Sequence, residues 1–206
     1  EMIVVTGATG FIGQRLIRLL VKNYEPKEIL CLVWNRNTPR ELTARKLLRK
    51  VGVNLRLVDL VDKTTLVELP ENPRLVFHLA ATTDTAQRDH RCNNIGTENL
   101  VSSLTLGKST TFIYVGTSAM YCGRDDCQRL IDESSTPIPS NNYGRSKLEA
   151  EMMLKKDCRR RKYALTILRP PTVYGSNPRA NSLFDFLKKL IQKGSILARI
   201  NWPGLT

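Results

Sequence analysis

The segment Met2-Ile3-Val4-Val5-Thr6-Gly7-Ala8-Thr9-Gly10-Phe11-Ile12-Gly13 constrains the fold more than any other part of the chain. Ile3 to Val5 is an apolar run of strand length, and three glycines follow at the spacing G-x-x-G-x-x-G. Leu16, Ile17, Leu19 and Leu20 then recur at helical spacing. A strand that turns through glycines into a helix aims unpaired backbone N–H groups and the positive end of the helix dipole at one spot. A pyrophosphate fits that spot. Gly7 permits a tight turn, Gly10 lets a phosphate approach the backbone, and Gly13 lets the helix pack closely on the strand. A glycine triplet alone often marks an ordinary turn. Set between a strand and a helix, it predicts a dinucleotide site with Thr9, Phe11 and Ile12 in its wall.

The rest of the chain alternates between the two periodicities. Strands are predicted over residues 28–33, 53–58, 74–79, 111–115, 164–168 and 195–200. Helices are predicted over 41–51, 63–69, 93–106, 143–162 and 183–191. Such alternation implies right-handed crossovers and an α/β doubly wound parallel sheet, Rossmann-like in kind. Residues 122–142 form a turn-rich segment with Gly123, Asp125, Asp126, Pro137 and Pro139, long enough to wall a site. The 206 residues suffice for one well-buried domain and the start of a second, read as 1–169 and 170–206.

No apolar run reaches bilayer length, and the first strand starts so early that no leader is expected ahead of it. Five cysteines without a C-x-x-C pair, and only two histidines, argue for free thiols in a reducing cytoplasm and no metal site. A net charge of +13 suits an acidic small molecule or a nucleic-acid surface. Its densest run, Lys155 to Lys162, closes a predicted helix where cations complement the dipole, and it lacks interleaved aromatics. A solvated helix end is therefore expected there, rather than a nucleic-acid contact.

The carboxyl ends of the predicted strands carry the chemistry. Strand two ends in Trp34-Asn35-Arg36-Asn37, with no carboxylate to accept a ribose 2′-hydroxyl and with Arg36 to pair with a 2′-phosphate. This favours NADP over NAD. Asp59, directly after strand three, either accepts the adenine amino group or caps its own turn. Leu79, Ala80 and Ala81 leave room for a ribose and a nicotinamide, and His78 reads as a core residue. Tyr143 and Lys147 lie four apart at the start of a helix and share a face. An ammonium beside a phenol favours phenolate, and lowering a pKa near 10 to near 7 takes about 4 kcal/mol. A hydroxyl from Thr117 or Ser118 would position the substrate oxygen beside this pair.

These pieces resemble the extended short-chain dehydrogenase/reductase family, also called the NAD-dependent epimerase/dehydratase family. The matching stretches are Thr6 to Gly13, Asp59-Leu60, His78 to Ala81, Asn94 to Leu100, Phe112 to Tyr121, Tyr143 to Lys147 and Arg169 to Gly175. The resemblance implies Tyr143 as general acid/base, Lys147 also on the nicotinamide ribose, and Thr117 as hydroxyl partner with Ser118 as runner-up. It further implies adenine contacts from Asp59 and Leu60, Asn94 beside the cofactor or in a proton relay, and Pro170 in the cofactor wall. A homodimer through the helices at 93–106 and 143–162 belongs to the same expectation.

Thr172 stands where nucleotide-sugar members carry asparagine, and the segment between Ala81 and Asn94 is short. Both features lean toward a simple carbonyl/alcohol oxidoreductase. An epimerase or dehydratase of the same fold, or a non-catalytic dinucleotide-sensing or nucleic-acid-binding protein, are the alternatives. Family members continue beyond the equivalent of Thr206, so the substrate-binding part is expected to be incomplete.

Overall fold

A computed structural model describes residues 2–123 and 130–176. Residues 1–171 form one unit and residues 172–206 a second. The helix expected at 183–191 and the strand expected at 195–200 lie outside the described residues.

Six parallel strands form one sheet: β1 (Ile3–Thr6), β2 (Ile29–Trp34), β3 (Asn54–Val58), β4 (Leu75–His78), β5 (Thr111–Val115) and β6 (Ala164–Leu168). Their spatial order is β3-β2-β1-β4-β5-β6. The chain runs outward from β1 in one direction, returns to its other side at β4, and continues outward. Ile3 pairs with Ile29 on one side and Leu75 on the other, and Thr6 likewise with Leu32 and His78.

The period of two along the strands divides the core between two faces. Ile3, Val5, Cys31 and Val33 face Ile17 and Leu20 of α1 (Phe11–Leu20) and Leu48 of α2 (Pro39–Val51). Val4, Leu30, Leu32, Val76, Phe112 and Tyr114 point the other way. There they meet Leu100 and Val101 of α3 (Ile95–Ser103), and Ala150 and Leu154 of α4 (Asn142–Arg161). Helices on both faces explain why β1 and β2 read as unbroken apolar runs.

Two helices are shorter than their periodicity predicts. Residues 63–69 give only a 3-10 turn, Lys63–Thr65. Asp62 takes the N–H of Thr64, and the Thr65 hydroxyl engages both N–H and C=O of Asp59, so local side chains satisfy the backbone instead of a helix. The helix expected at 93–106 spans only Ile95–Ser103, because Asn94 caps its start and Leu104 is already extended.

The basic end of α4 is only partly a solvated face. Arg161 reaches across to donate to the carbonyls of Val101 (2.7 Å) and Leu104, closing the end of α3. Arg160 pairs with Asp157 at 2.6 Å. Lys155, Lys156, Arg159 and Arg160 line an open groove with Met152.

Candidate active site

The glycine turn sits where the strand order reverses, between the carboxyl ends of β1 and β4. Gly7 has φ +70°, and a Cβ on it would lie 2.7 Å from the Ala80 nitrogen and 2.8 Å from the Leu79 carbonyl carbon. Its N–H neighbour in the turn is Gly10, which donates to the Gly7 carbonyl at 2.9 Å and opens α1. α1 has no side-chain cap and no acid in its first turn, which leaves that end suited to an anion. A Cβ on Gly13 would lie 2.2 Å from the Gly7 carbonyl oxygen and 2.7 Å from Ala8 Cα. Its close approach is thus to the turn itself rather than to the strand. Thr9 is buried and donates to Glu41 at 3.1 Å, while Phe11 lies under the Arg15 guanidinium and Ile12 is exposed.

Thr6 ties the two strand ends together. Its Oγ1 accepts the N–H groups of Leu79 and Ala80 at 3.2 and 3.1 Å and lies 2.7 Å from His78 Nδ1. On the other side His78 Nε2 lies 2.8 Å from Thr97 Oγ1, which itself donates to the Asn93 carbonyl. Because the Thr97 proton is spent there, His78 carries its hydrogen on Nε2 and accepts from Thr6 at Nδ1. Burial, with the Lys147 charge adding to it, pushes His78 down to about 3. It is a neutral strut of the core, as its position in the sequence suggested.

At the far end of the cleft Arg36 is exposed and lies over the Trp34 ring, 4.6 Å from its centroid. Arg45, buried in α2, holds this loop in shape by donating to the carbonyls of Trp34 and Arg36 and to Asn37 Oδ1. The carboxylate brought to the glycine turn is Glu41 of α2, which sequence spacing did not single out. Asp59 spends one oxygen on the N–H of Val61, at 3.0 Å, and is half-buried. Leu60 is buried under α3, where a Cβ on Gly96 would come within 3.0 Å of its own Cβ.

At the other end, Thr117 opens the 3-10 turn Ser118–Tyr121 and accepts the N–H of Ala119. Ser118 is half-buried and its N–H donates to the Pro170 carbonyl at 3.1 Å. The first turn of α4 packs on this turn so closely that a Cβ on Gly144 would lie 3.1 Å from the Ala119 oxygen. Tyr143, half-buried, stands in that first turn beside the ring of His90 (6.0 Å between centroids), and Ala81 is half-buried. Lys147, one turn on, is buried, with Nζ 4.3 Å from the centroid of the Tyr114 ring. Burial drives its pKa down to about 7. Among the described residues it makes no ion pair.

Asn94 does not turn toward Lys147. Its Oδ1 caps Ile95 and its Nδ2 donates to Glu149 at 2.7 Å. The inward asparagine is Asn93, fully buried. It accepts the Thr82 N–H at 2.8 Å and donates to Ser146 Oγ at 3.0 Å, directly beside Lys147. The helical phase held this signal, since Asn93 falls in line with Thr97 and Leu100 on the buried face. Arg169 was also missed: it donates to both oxygens of buried Glu151 on α4 and, at 2.6 Å, to the Tyr121 hydroxyl. It thereby fastens the 3-10 turn, α4 and the end of β6 together. Among the described residues there is no His/Cys/Asp/Glu group that could hold a metal, and no helix long and apolar enough to cross a membrane.

Residues 3–198 match the model of the NAD dependent epimerase/dehydratase family. A UDP-glucose 4-epimerase of Mycoplasma genitalium is 27% identical over 184 residues, which cover 84% of this chain and 53% of that protein. Among solved structures, a UDP-glucuronic acid 4-epimerase of Bacillus cereus in complex with NAD superposes with a TM-score of 0.77 at 26% identity. That match covers 95% of this chain and 64% of the other. RMD from Pseudomonas aeruginosa, complexed with NADPH, shares the fold with a TM-score of 0.69 at 24% identity, covering 94% and 63% of the two chains. The chain thus spans about half the length of its curated relative and under two thirds of these structures. With its glycine turn at the sheet reversal and a Tyr-x-x-x-Lys turn at the start of α4, the chain belongs to the NAD dependent epimerase/dehydratase family.

Proposed function

We propose that this chain binds a nicotinamide dinucleotide at the reversal between β1 and β4 and serves hydride transfer to or from a carbonyl or alcohol carbon. The tight turn that Gly7 and Gly13 permit by close backbone packing, and the uncapped start of α1, fit such a molecule. When bound, the nicotinamide supplies or takes the hydride at its C4. Thr117 spends an oxygen lone pair on Ala119, so its hydrogen remains to donate to the substrate oxygen. Tyr143 gives that oxygen a proton as the carbonyl is reduced, and takes one back in the reverse direction. Lys147, when charged, favours the phenolate of Tyr143. Asn93, through Ser146, holds this turn of α4 to the segment after β4.

The observation that carries the reading is Lys147: a buried lysine with no ion pair among the described residues, one helical turn from the Tyr143 phenol on α4 of a dinucleotide fold. Tyr143→Phe is expected to lower turnover by about 10²–10⁴-fold while leaving dinucleotide affinity unchanged. Retained turnover would remove Tyr143 as the proton carrier. The relatives named as nucleotide-sugar epimerases favour a second reading, in which the sugar is oxidised transiently and the dinucleotide is regenerated. Isomer formation from a UDP-sugar without net change in absorbance at 340 nm would select it; steady consumption of reduced dinucleotide with a carbonyl compound would select the first.

For the dinucleotide itself we propose NADP, on the strength of Arg36 and the missing carboxylate at the end of β2. Arg36→Ala should weaken NADPH binding about tenfold or more, measured by its fluorescence, and leave NADH binding nearly unchanged. Equal losses for both would overturn the preference, and would point to Glu41 beside Thr9 as the group that governs this end.

A further inference from the structure

We propose that Tyr114 of β5 is a positioning residue for the Tyr143/Lys147 pair: its ring face keeps the buried Lys147 ammonium charged, and its hydroxyl fixes the lysine's backbone. The inference rests on the reading of Lys147 given above. Tyr114 is fully buried, its ring centroid lies 4.3 Å from Lys147 Nζ, and its hydroxyl donates to the Lys147 carbonyl at 3.2 Å. One side chain therefore holds both ends of the lysine.

The need for such a device follows from what else surrounds the ammonium. Two groups are positioned to favour its charge electrostatically, Cys92 and Glu151. Cys92 is pushed up to about 11 by burial and is a neutral thiol at pH 7. Glu151, on α4 itself, is engaged by Arg169 and Lys155. His78, beside Tyr114 on the neighbouring strand β4 (5.8 Å between ring centroids), is neutral, and Tyr114 is held well above the ordinary phenol range by burial, so it remains a hydrogen-bond donor rather than an anion. Tyr143 faces the pair from the preceding turn. With the thiol neutral and Glu151 engaged by Arg169 and Lys155, the negative face of an aromatic ring is the further counter-charge among the described residues. A π face suits this place better than a carboxylate would. It supports the cation without capturing its N–H groups, which stay available to the phenol and to a ribose.

The test reads the titration midpoint of Lys147 in the full chain by NMR of its Cε and Nζ, with Lys147→Arg used for assignment. Tyr114→Leu is expected to lower the midpoint by about one pH unit, cutting the charged fraction at pH 7 several-fold. Tyr114→Phe keeps the ring and should leave the midpoint within about 0.3 units. Phenylalanines with successive ring fluorines at position 114 keep the shape while draining the π face, and the midpoint should fall with each fluorine. This series decides the matter even where the leucine variant fails to fold. A midpoint indifferent to fluorination, or one that moves as far in Tyr114→Phe, would overturn the proposal. Because the titration needs neither substrate nor dinucleotide, its failure is distinct from that of the enzymatic reading, which Tyr143→Phe tests.

Discussion

Replacing Lys147 with methionine should yield a protein that is more stable than the parent and without activity. Lys147 is almost fully buried, and burial lowers its pKa from 10.5 to about 7. The unfolded chain binds a proton there at all pH values below about 10, while the folded chain resists it. Between about pH 10 and pH 7 the unfolded state therefore holds the extra proton, and stability contributed by this residue falls as pH falls. Below pH 7 both states are protonated and the penalty levels off. Methionine has a similar length and no charge to desolvate, so the variant should gain on the order of 2–4 kcal/mol at pH 7. Urea unfolding of the two proteins across pH 6 to 10 checks this. The gap between them should widen on going from pH 10 to 7 and then stay constant. A methionine variant less stable than the parent at pH 7 would mean that Lys147 has partners that more than repay its burial.

Gly13→Ala should abolish dinucleotide binding and destabilise the fold by about 1–3 kcal/mol. The new methyl group would lie 2.2 Å from the Gly7 carbonyl oxygen and 2.7 Å from Ala8 Cα, and these are backbone atoms without a rotamer to yield. Relief requires α1 to slide away from the turn, which would break the Gly10 N–H bond to Gly7 and the packing of Ile17 and Leu20 on the sheet. Gly10→Ala provides the contrast. Its methyl would meet only the Gly7 oxygen, at 3.0 Å, so the fold should survive nearly intact. Dinucleotide affinity should still drop by about tenfold or more, since the methyl would stand where a phosphate must come close. Thermal unfolding and NADPH fluorescence titration separate the two outcomes. Equal stability losses in both variants would refute the division of roles between the two glycines.

Much of this architecture was legible in the chain because its signals are local. Apolar runs such as 3–5 and 111–115 are strands within a residue of their expected limits, and buried parallel strands need no partner-specific code. The Tyr-x-x-x-Lys spacing likewise reports a shared helix face without knowledge of the rest. What escaped reading depends on contacts between distant segments. Thr9 and Glu41 are 32 residues apart, Tyr114 and Lys147 are 33, and Arg169 reaches 48 residues back to Tyr121. Asn93 and Asn94 differ by a single step in sequence. That step, in the turn that enters α3, separates a buried clamp beside Lys147 from a surface cap on Ile95 that donates to Glu149. The 63–69 helix failed for a related reason: the pattern of apolar residues was right, but Asp62 and Thr65 offered the backbone nearer partners.

Arg161 changes how the chain's excess charge should be handled by anyone seeking to reduce it. In the run from Lys155 to Lys162, Lys156 and Arg159 project from the helix and are open to exchange for glutamine, whereas Lys155 pairs with Glu151 and Arg160 with Asp157. Arg161 is the least replaceable of them, since it serves as the end-stop of α3 through two main-chain oxygens. A wholesale neutralisation of the run would unravel that helix end and be mistaken for the loss of a binding surface.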